Sequence, residues 1–226
     1  MNLQQYKEGK QAEYAAFAEA VARILKMAIL VYDENIHLPP IQHRAKEAGS
    51  LEKKIANRNA DPDKTKTVDL ENLEGGIKDL AGVRVVFYTN GDVNRFRQSR
   101  IIWENFDVDQ ESTKDHHPDP KDGEKANQFR SVNFVVRLKD SRIALSEYAR
   151  FKGMRCEIQI QTILNHAWSE TAHDIIYKGL ILPGYGNRLR ERLQQQLNHI
   201  MLKYLLPAGN EFQLVWDAHQ RLSTPE

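Results

Sequence analysis

The stretch GMRCEIQIQTILNHAW, residues Gly153 to Trp168, contains a strand and the start of a helix. Cys156, Ile158 and Ile160 are apolar and alternate with Glu157, Gln159 and Gln161. That strict period of two marks a strand with one face on a core. The other face carries a carboxylate and two amides rather than the Lys, Thr and Ser of an ordinary wet surface. From Thr162 or Leu164 the pattern turns helical and extends to about Tyr177.

Working outward, the same logic predicts strands at Val83 to Tyr88 and within FRSVNFVVRLKD. A helix from about Gln11 to Val31 sets Phe17, Val21, Ile24, Leu25 and Ala28 on one stripe, and Pro39 and Pro40 close that region. IQHRAKEAGSLEKKIANRNA reads as a basic loop leading into a short helix, with Ser50 as its N-cap. DVNRFRQSRIIWENF reads as one helix anchored by Val93, Phe96, Ile101 and Phe106. DVDQESTKDHHPDPKDGEKANQ, almost devoid of apolar residues, reads as a long loop. A strongly amphipathic helix then places Leu189, Leu193, Leu197, Ile200, Met201 and Tyr204 at helical spacing, with Pro207 as its stop. Few strands flanked by helices make an α+β chain. Three segments follow: helical residues 1–40, a central domain over 41–180, and C-terminal helices over 181–226. The last pack on the domain or build a homo-oligomer.

The 226 residues carry 32 basic and 31 acidic side chains, a formal charge of +1. Such a balance argues against a protein that coats nucleic acid electrostatically. One cysteine, Cys156, excludes an internal disulfide framework and a Cys-rich zinc site. Charges sit where a signal peptide would have its apolar run, and no stretch reaches transmembrane length, so a cytoplasmic, membrane-free protein is expected.

Three constellations bear chemistry. In KDLAGVRVV, Asp79 precedes a tight turn into a strand that carries Arg84, a pairing suited to a metal-bound phosphate. HRAKEAGSLEKK gathers Arg44, Lys46, Ser50, Lys53 and Lys54, cations able to cradle polyphosphate near a helix N-terminus. Taken alone, a turn cap and a solvated charged face are the commoner explanations of these two. The third is the opening strand, followed by His166, Trp168, His173, Tyr177 and Lys178. His166 and His173 share a helix side, but their spacing fits no zinc pattern. Neither DHHPD nor His173-Asp174 is read as a metal site.

In this order along the chain, the motifs resemble the synthetase domain of the RelA/SpoT family from Ile41 to Lys178. Arg44, Lys46 and Ser50 match the family's R-x-K-x-x-x-S, and Asp79, Gly82 and Arg84 match D-[IL]-A-G-[IV]-R. Glu157, Gln159 and Thr162 match E-[IV]-Q-I-R-T, while His173, Tyr177 and Lys178 match the closing H-[KW]-x-x-Y-K. The resemblance implies a nucleotidyltransferase-like fold, α+β with a mixed, mostly antiparallel sheet flanked by helices. It implies transfer of the β,γ-pyrophosphate of ATP to the 3′-hydroxyl of GDP or GTP. Asp79 and Glu157 would be the catalytic acids and hold Mg²⁺, while Arg44, Lys46, Ser50, Lys53 and Arg84 would bind ATP. The acceptor would meet Lys125, Asn127, Phe129, Ser131, Asn133, Gln159, Gln161, His173 and Lys178.

The departures concentrate on the acceptor side. Where the family has N-G-Y-x-S-[LI]-H, this chain reads Asn127, Gln128, Phe129, Arg130, Ser131, Val132, Asn133, and the arginine of E-[IV]-Q-I-R-T is Gln161. Toxin-like members act instead on the tRNA 3′-CCA end or an adenosine nucleotide, and such a role would bring an antitoxin partner. A non-catalytic nucleotide- or RNA-binding regulator on the same fold is the rival, against which the retained pair Asp79 and Glu157 counts.

Overall fold

A computed structural model of the chain describes residues 1–33, 40–63, 65, 67–115, 131–173, 175 and 187–223. Five strands, β1 (Gln42–Ala45), β2 (Ala81–Phe87), β3 (Phe106–Asp115), β4 (Val132–Leu138) and β5 (Cys156–Thr162), form one sheet in the spatial order β1-β2-β5-β4-β3. β2 and β5 run parallel, and the other pairs are antiparallel. The fold is therefore α+β with a mixed, mostly antiparallel sheet. Helices α1 (Gln11–Tyr32), α2 (Ala48–Ala60), α3 (Asn90–Gln98), α4 (Ile163–Ala172), α5 (Asn187–Ile200) and α6 (Leu206–Ser223) surround it.

The alternation of β5 does what its spacing predicts. Cys156, Ile158 and Ile160 are fully buried in one core with Val83, Val85 and Phe87 of β2 and Phe134 and Val136 of β4. The stripe Phe17, Val21, Leu25 and Ile29 of α1 enters the same core. Each such side chain contributes roughly 1.5–3 kcal/mol by leaving water. The opposite face of the sheet is thereby left to the polar residues of the same strands. A smaller core joins α4 to α5: Trp168 and Ala172 pack with Leu197 and Met201, and the Trp168 indole donates to the Leu197 carbonyl at 2.8 Å. Leu189 and Tyr204, on the same helical pattern, remain exposed.

Several elements differ from expectation. Gln42–Ala45 is a strand, not a loop, because its backbone pairs with β2, Arg44 opposite Gly82. Ser50 caps nothing; α2 starts at Ala48 with Glu47 at its N-cap, and Ser50 lies in the first turn. Phe106–Asp115, expected as a helix end and a loop, is an edge strand whose register breaks between Asp109 and Lys114. The helix expected over Asp92–Phe106 is two: α3 ends at Gln98, and Arg100 turns into a second, Ile101–Asn105, with φ of 61°. Pro207 stops no helix. Helical backbone runs from α5 through the π-helical turn Met201–Leu205 straight into α6, and Pro207 is the second residue of α6.

Candidate active site

Strand pairing lays two rows across the polar face of the sheet. One runs Arg44, Gly82, Glu157; the next runs Gln42, Arg84, Gln159, Asn133. Gly82, lacking a side chain, leaves the floor open between Arg44 and Glu157. A Cβ there would meet only the Arg44 carbonyl, at 3.9 Å, so anything longer would project into the space above. That space is a cleft of about 280 Å³ walled by both rows except Asn133, by Lys46, Ser50 and Asp79, and by Glu170 and His173.

Asp79 enters from the turn just before β2. Its Oδ2 accepts from Lys46 Nζ at 2.8 Å and its Oδ1 from Lys54 Nζ at 2.7 Å. Burial alone would raise its carboxyl, but the two ammonium groups win and hold it down at about 2. Glu157 goes the other way. Burial first, and then the charge of Asp79, push its carboxyl above the ordinary value, with Lys54, Lys46 and a long contact from Asn133 Nδ2 at 3.5 Å pulling back. The two acids thus feel each other across the cleft and titrate apart, as a pair with separate tasks does. Two carboxylates supply hard oxygen donors that fit Mg²⁺, with phosphate oxygens to fill the remaining positions. No cluster of three or more His, Cys, Asp or Glu able to bind a metal by itself occurs among the described residues.

Arg84 is fixed by its neighbours. Its Nε donates to Gln159 Oε1 at 2.8 Å and one terminal nitrogen to Glu170 Oε1 at 2.7 Å. Ser131 donates to Asn133 Oδ1 at 2.7 Å, orienting the amide that reaches Glu157.

Of the residues expected from sequence, Arg44, Lys46, Ser50, Asp79, Arg84, Glu157, Gln159 and His173 line the cleft. Lys53 does not; it is exposed on α2, and Lys54 is the lysine on Asp79. A signal for this was present. Lys54 follows Leu51 by three residues and precedes Ile55, so it borders the buried stripe of α2, whereas Lys53 points away. Gln161, expected to face the acceptor, is only 1% exposed and sits behind the cleft, 3.0 Å from His166 Nδ1. Ser131 is as deeply buried. Lys125, Asn127, Phe129 and Lys178 lie outside the described residues. Glu170 and Gln42, each reaching Arg84, were not expected from sequence.

Residues 43–180 match the family described as the region found in RelA / SpoT proteins. In fold, the chain is similar to small alarmone synthetase 1 from Bacillus subtilis, at 19% identity and a TM-score of 0.68, over 96% of this chain and 99% of that one. The same protein bound to its product pppGpp gives 19% identity and a TM-score of 0.67, over 95% and 98%. A GTP pyrophosphokinase family protein from Streptococcus pneumoniae gives 21% identity and 0.67, over 98% and 97%. No curated protein sequence matches the chain. With more than half of its length matched, and with the matched span holding all the cleft's lining residues but Gln42, the chain belongs to the RelA/SpoT family.

Proposed function

We propose that this chain transfers the β,γ-pyrophosphate of ATP to the 3′-hydroxyl of a guanosine nucleotide, GDP or GTP. The observation that carries the reading is the pair Asp79 and Glu157 facing one cleft with Arg44, Lys46, Lys54 and Arg84 around it. Family membership and the pppGpp-bound neighbour support it.

Phosphoryl-type transfer asks the protein for position and charge neutralisation rather than covalent help. Arg44 and Arg84 clamp the triphosphate from β1 and β2. Lys46 and Lys54, which hold Asp79 in the free chain, are within reach of incoming phosphate oxygens. Asp79, with Glu157 beside it, would hold Mg²⁺, which supplies positive charge to those oxygens. The acceptor O3′ forms a bond to the β-phosphorus of ATP. The bond from that phosphorus to the oxygen bridging the α-phosphate breaks, and AMP leaves with the oxygen. The hydroxyl proton passes to Glu157, whose raised carboxyl is a stronger base than an ordinary glutamate.

A second reading, with a tRNA 3′ end or an adenosine nucleotide as acceptor, is favoured by Gln161. An arginine there would bring a cation; the glutamine is neutral and turned onto His166. An antitoxin partner belongs to that reading alone. The test is incubation of γ-labelled ATP with GDP, GTP, ATP and bulk tRNA, alongside Glu157→Gln. The label should enter guanosine nucleotides with release of AMP, and the variant should be inactive. Label on tRNA or adenosine nucleotides alone selects the second reading. Release of ADP instead of AMP, or undiminished transfer by Glu157→Gln, defeats both.

A further inference from the structure

Between β2, β5 and α4, His166 lies behind the cleft against Arg84 and Gln161. His166 Nδ1 is 3.3 Å from an Arg84 terminal nitrogen and 3.0 Å from Gln161 Nε2. A guanidinium only donates and does not lose its proton, so Nδ1 must be a lone pair and the imidazole proton must sit on Nε2. The same lone pair sets the Gln161 amide. Its NH₂ has to face His166, which leaves Gln161 Oε1 buried with no hydrogen-bond partner. A buried carbonyl left unpaired is costly. The chain accepts it where the reverse orientation would set oxygen against nitrogen lone pairs.

The acceptors around Arg84 differ in what a substrate would do to them. Glu170 is charged and half-exposed, so its ion pair is screened by water, and a phosphate arriving at Arg84 repels it. Gln42 is distant, at 3.5 Å. His166 is neutral and does not compete with phosphate for charge. We infer that neutral His166 is a positioning residue for Arg84, the contact that keeps the guanidinium beside Gln159 when phosphate displaces Glu170. The inference rests on the ATP-clamping role proposed for Arg84.

Protonation would reverse the arrangement. A proton on Nδ1 would face the Arg84 guanidinium of β2 and the Gln161 amide of β5, with Glu170 of its own helix as the opposing acid. Burial and then Arg84 accordingly hold the imidazole below its ordinary range. Acid should therefore release Arg84 from this contact.

The test uses His166→Asn, whose Oδ1 stands where Nδ1 accepts, and His166→Ala, which has no acceptor. Binding of the non-hydrolysable analogue AMPCPP is followed by calorimetry, without turnover. His166→Ala should weaken it about tenfold, the scale of one hydrogen bond to a charged group, and His166→Asn should stay within about threefold of the parent. Equal losses in the two variants, or none in His166→Ala, would overturn the inference. Imidazole ¹⁵N spectra of the unsubstituted protein provide an arm independent of substitution and of ligand. They should show the Nε2–H tautomer, titrating below an ordinary histidine; an Nδ1–H tautomer would equally overturn it. Absence of AMPCPP binding by the parent would instead strike the ATP assignment and leave the tautomer to be decided by its spectrum.

Discussion

Asp79→Asn keeps the shape of the side chain and removes the charge that Lys46 and Lys54 share. The carboxyl titrates at about 2 in the folded chain against an ordinary 3.8. Each pH unit of such a difference corresponds to about 1.4 kcal/mol, so the ionised form favours folding by roughly 2 kcal/mol. The sign follows from the depressed value. This stabilisation is fully present above the unfolded value and is lost as pH falls through the folded one. Asparagine should therefore cost roughly 2 kcal/mol at pH 7, about half of that at pH 3, and little near pH 2. For a chain of this size that is a fall of about 4–8 °C in Tm at neutral pH. Lys54 limits the figure from the other side, since burial outweighs Asp79 and pulls its ammonium below the ordinary lysine range. Urea titrations of both proteins at pH 7 and pH 3 read the difference directly. A variant as stable as the parent at pH 7 would refute the reasoning, because it would mean that burial of the ions cancels their attraction.

Glu157 predicts the opposite sign. Its carboxyl is raised, so its contribution to stability is complete below the ordinary 4.5 and lost as pH climbs through the higher folded value. Glu157→Gln should thus melt at a higher temperature than the parent at pH 7, with the gain vanishing in acid; a lower Tm at pH 7 contradicts the burial argument. Lys54→Ala should weaken AMPCPP binding about tenfold while Lys53→Ala changes it less than twofold, and calorimetry giving the reverse order would restore Lys53 to the cleft. Arg100→Gly should stabilise the chain by about 0.5–1 kcal/mol, since Arg100 holds φ at 61° between two short helices. Unchanged or reduced denaturant midpoints would count against strain at that turn.

What the sequence disclosed and what it hid follow from the same physics. β2, β4 and β5 each bury one face in the core, and burial writes itself into the chain as alternation. β1 and β3 lie at the sheet edges, where backbone pairing suffices and side chains remain largely polar. QHRA and FDVDQESTKD therefore resemble loops. The same division runs through the cleft. Residues on alternating strands, such as Arg84, Glu157 and Gln159, could be located by their parity. Lys53 and Lys54 are neighbours on a helix, and reading the run only as a cluster of cations does not tell them apart; only the apolar stripe Leu51 and Ile55 does. Gln161 has the parity of the site face but lies where α4 begins, and the helix covers it. Alternation records which face a residue is on, not what packs over that face.

The parallel pairing of β2 with β5 also bears on how the protein comes into being. Arg84 and Gln159, side by side in the sheet, are 75 residues apart in the chain. Neighbours in an antiparallel hairpin can meet within a few residues of synthesis; these cannot. On a ribosome, Asp79 and its lysines emerge long before Glu157, and the inner edge of β2 waits unpaired while β3 and β4 are made. Closing so long a loop is slow relative to local structure. Asp79 and Glu157 meet only when β5 docks between β2 and β4. A nascent chain that has made β1 and β2 alone holds only half of the cleft, which closes at the final step of sheet assembly.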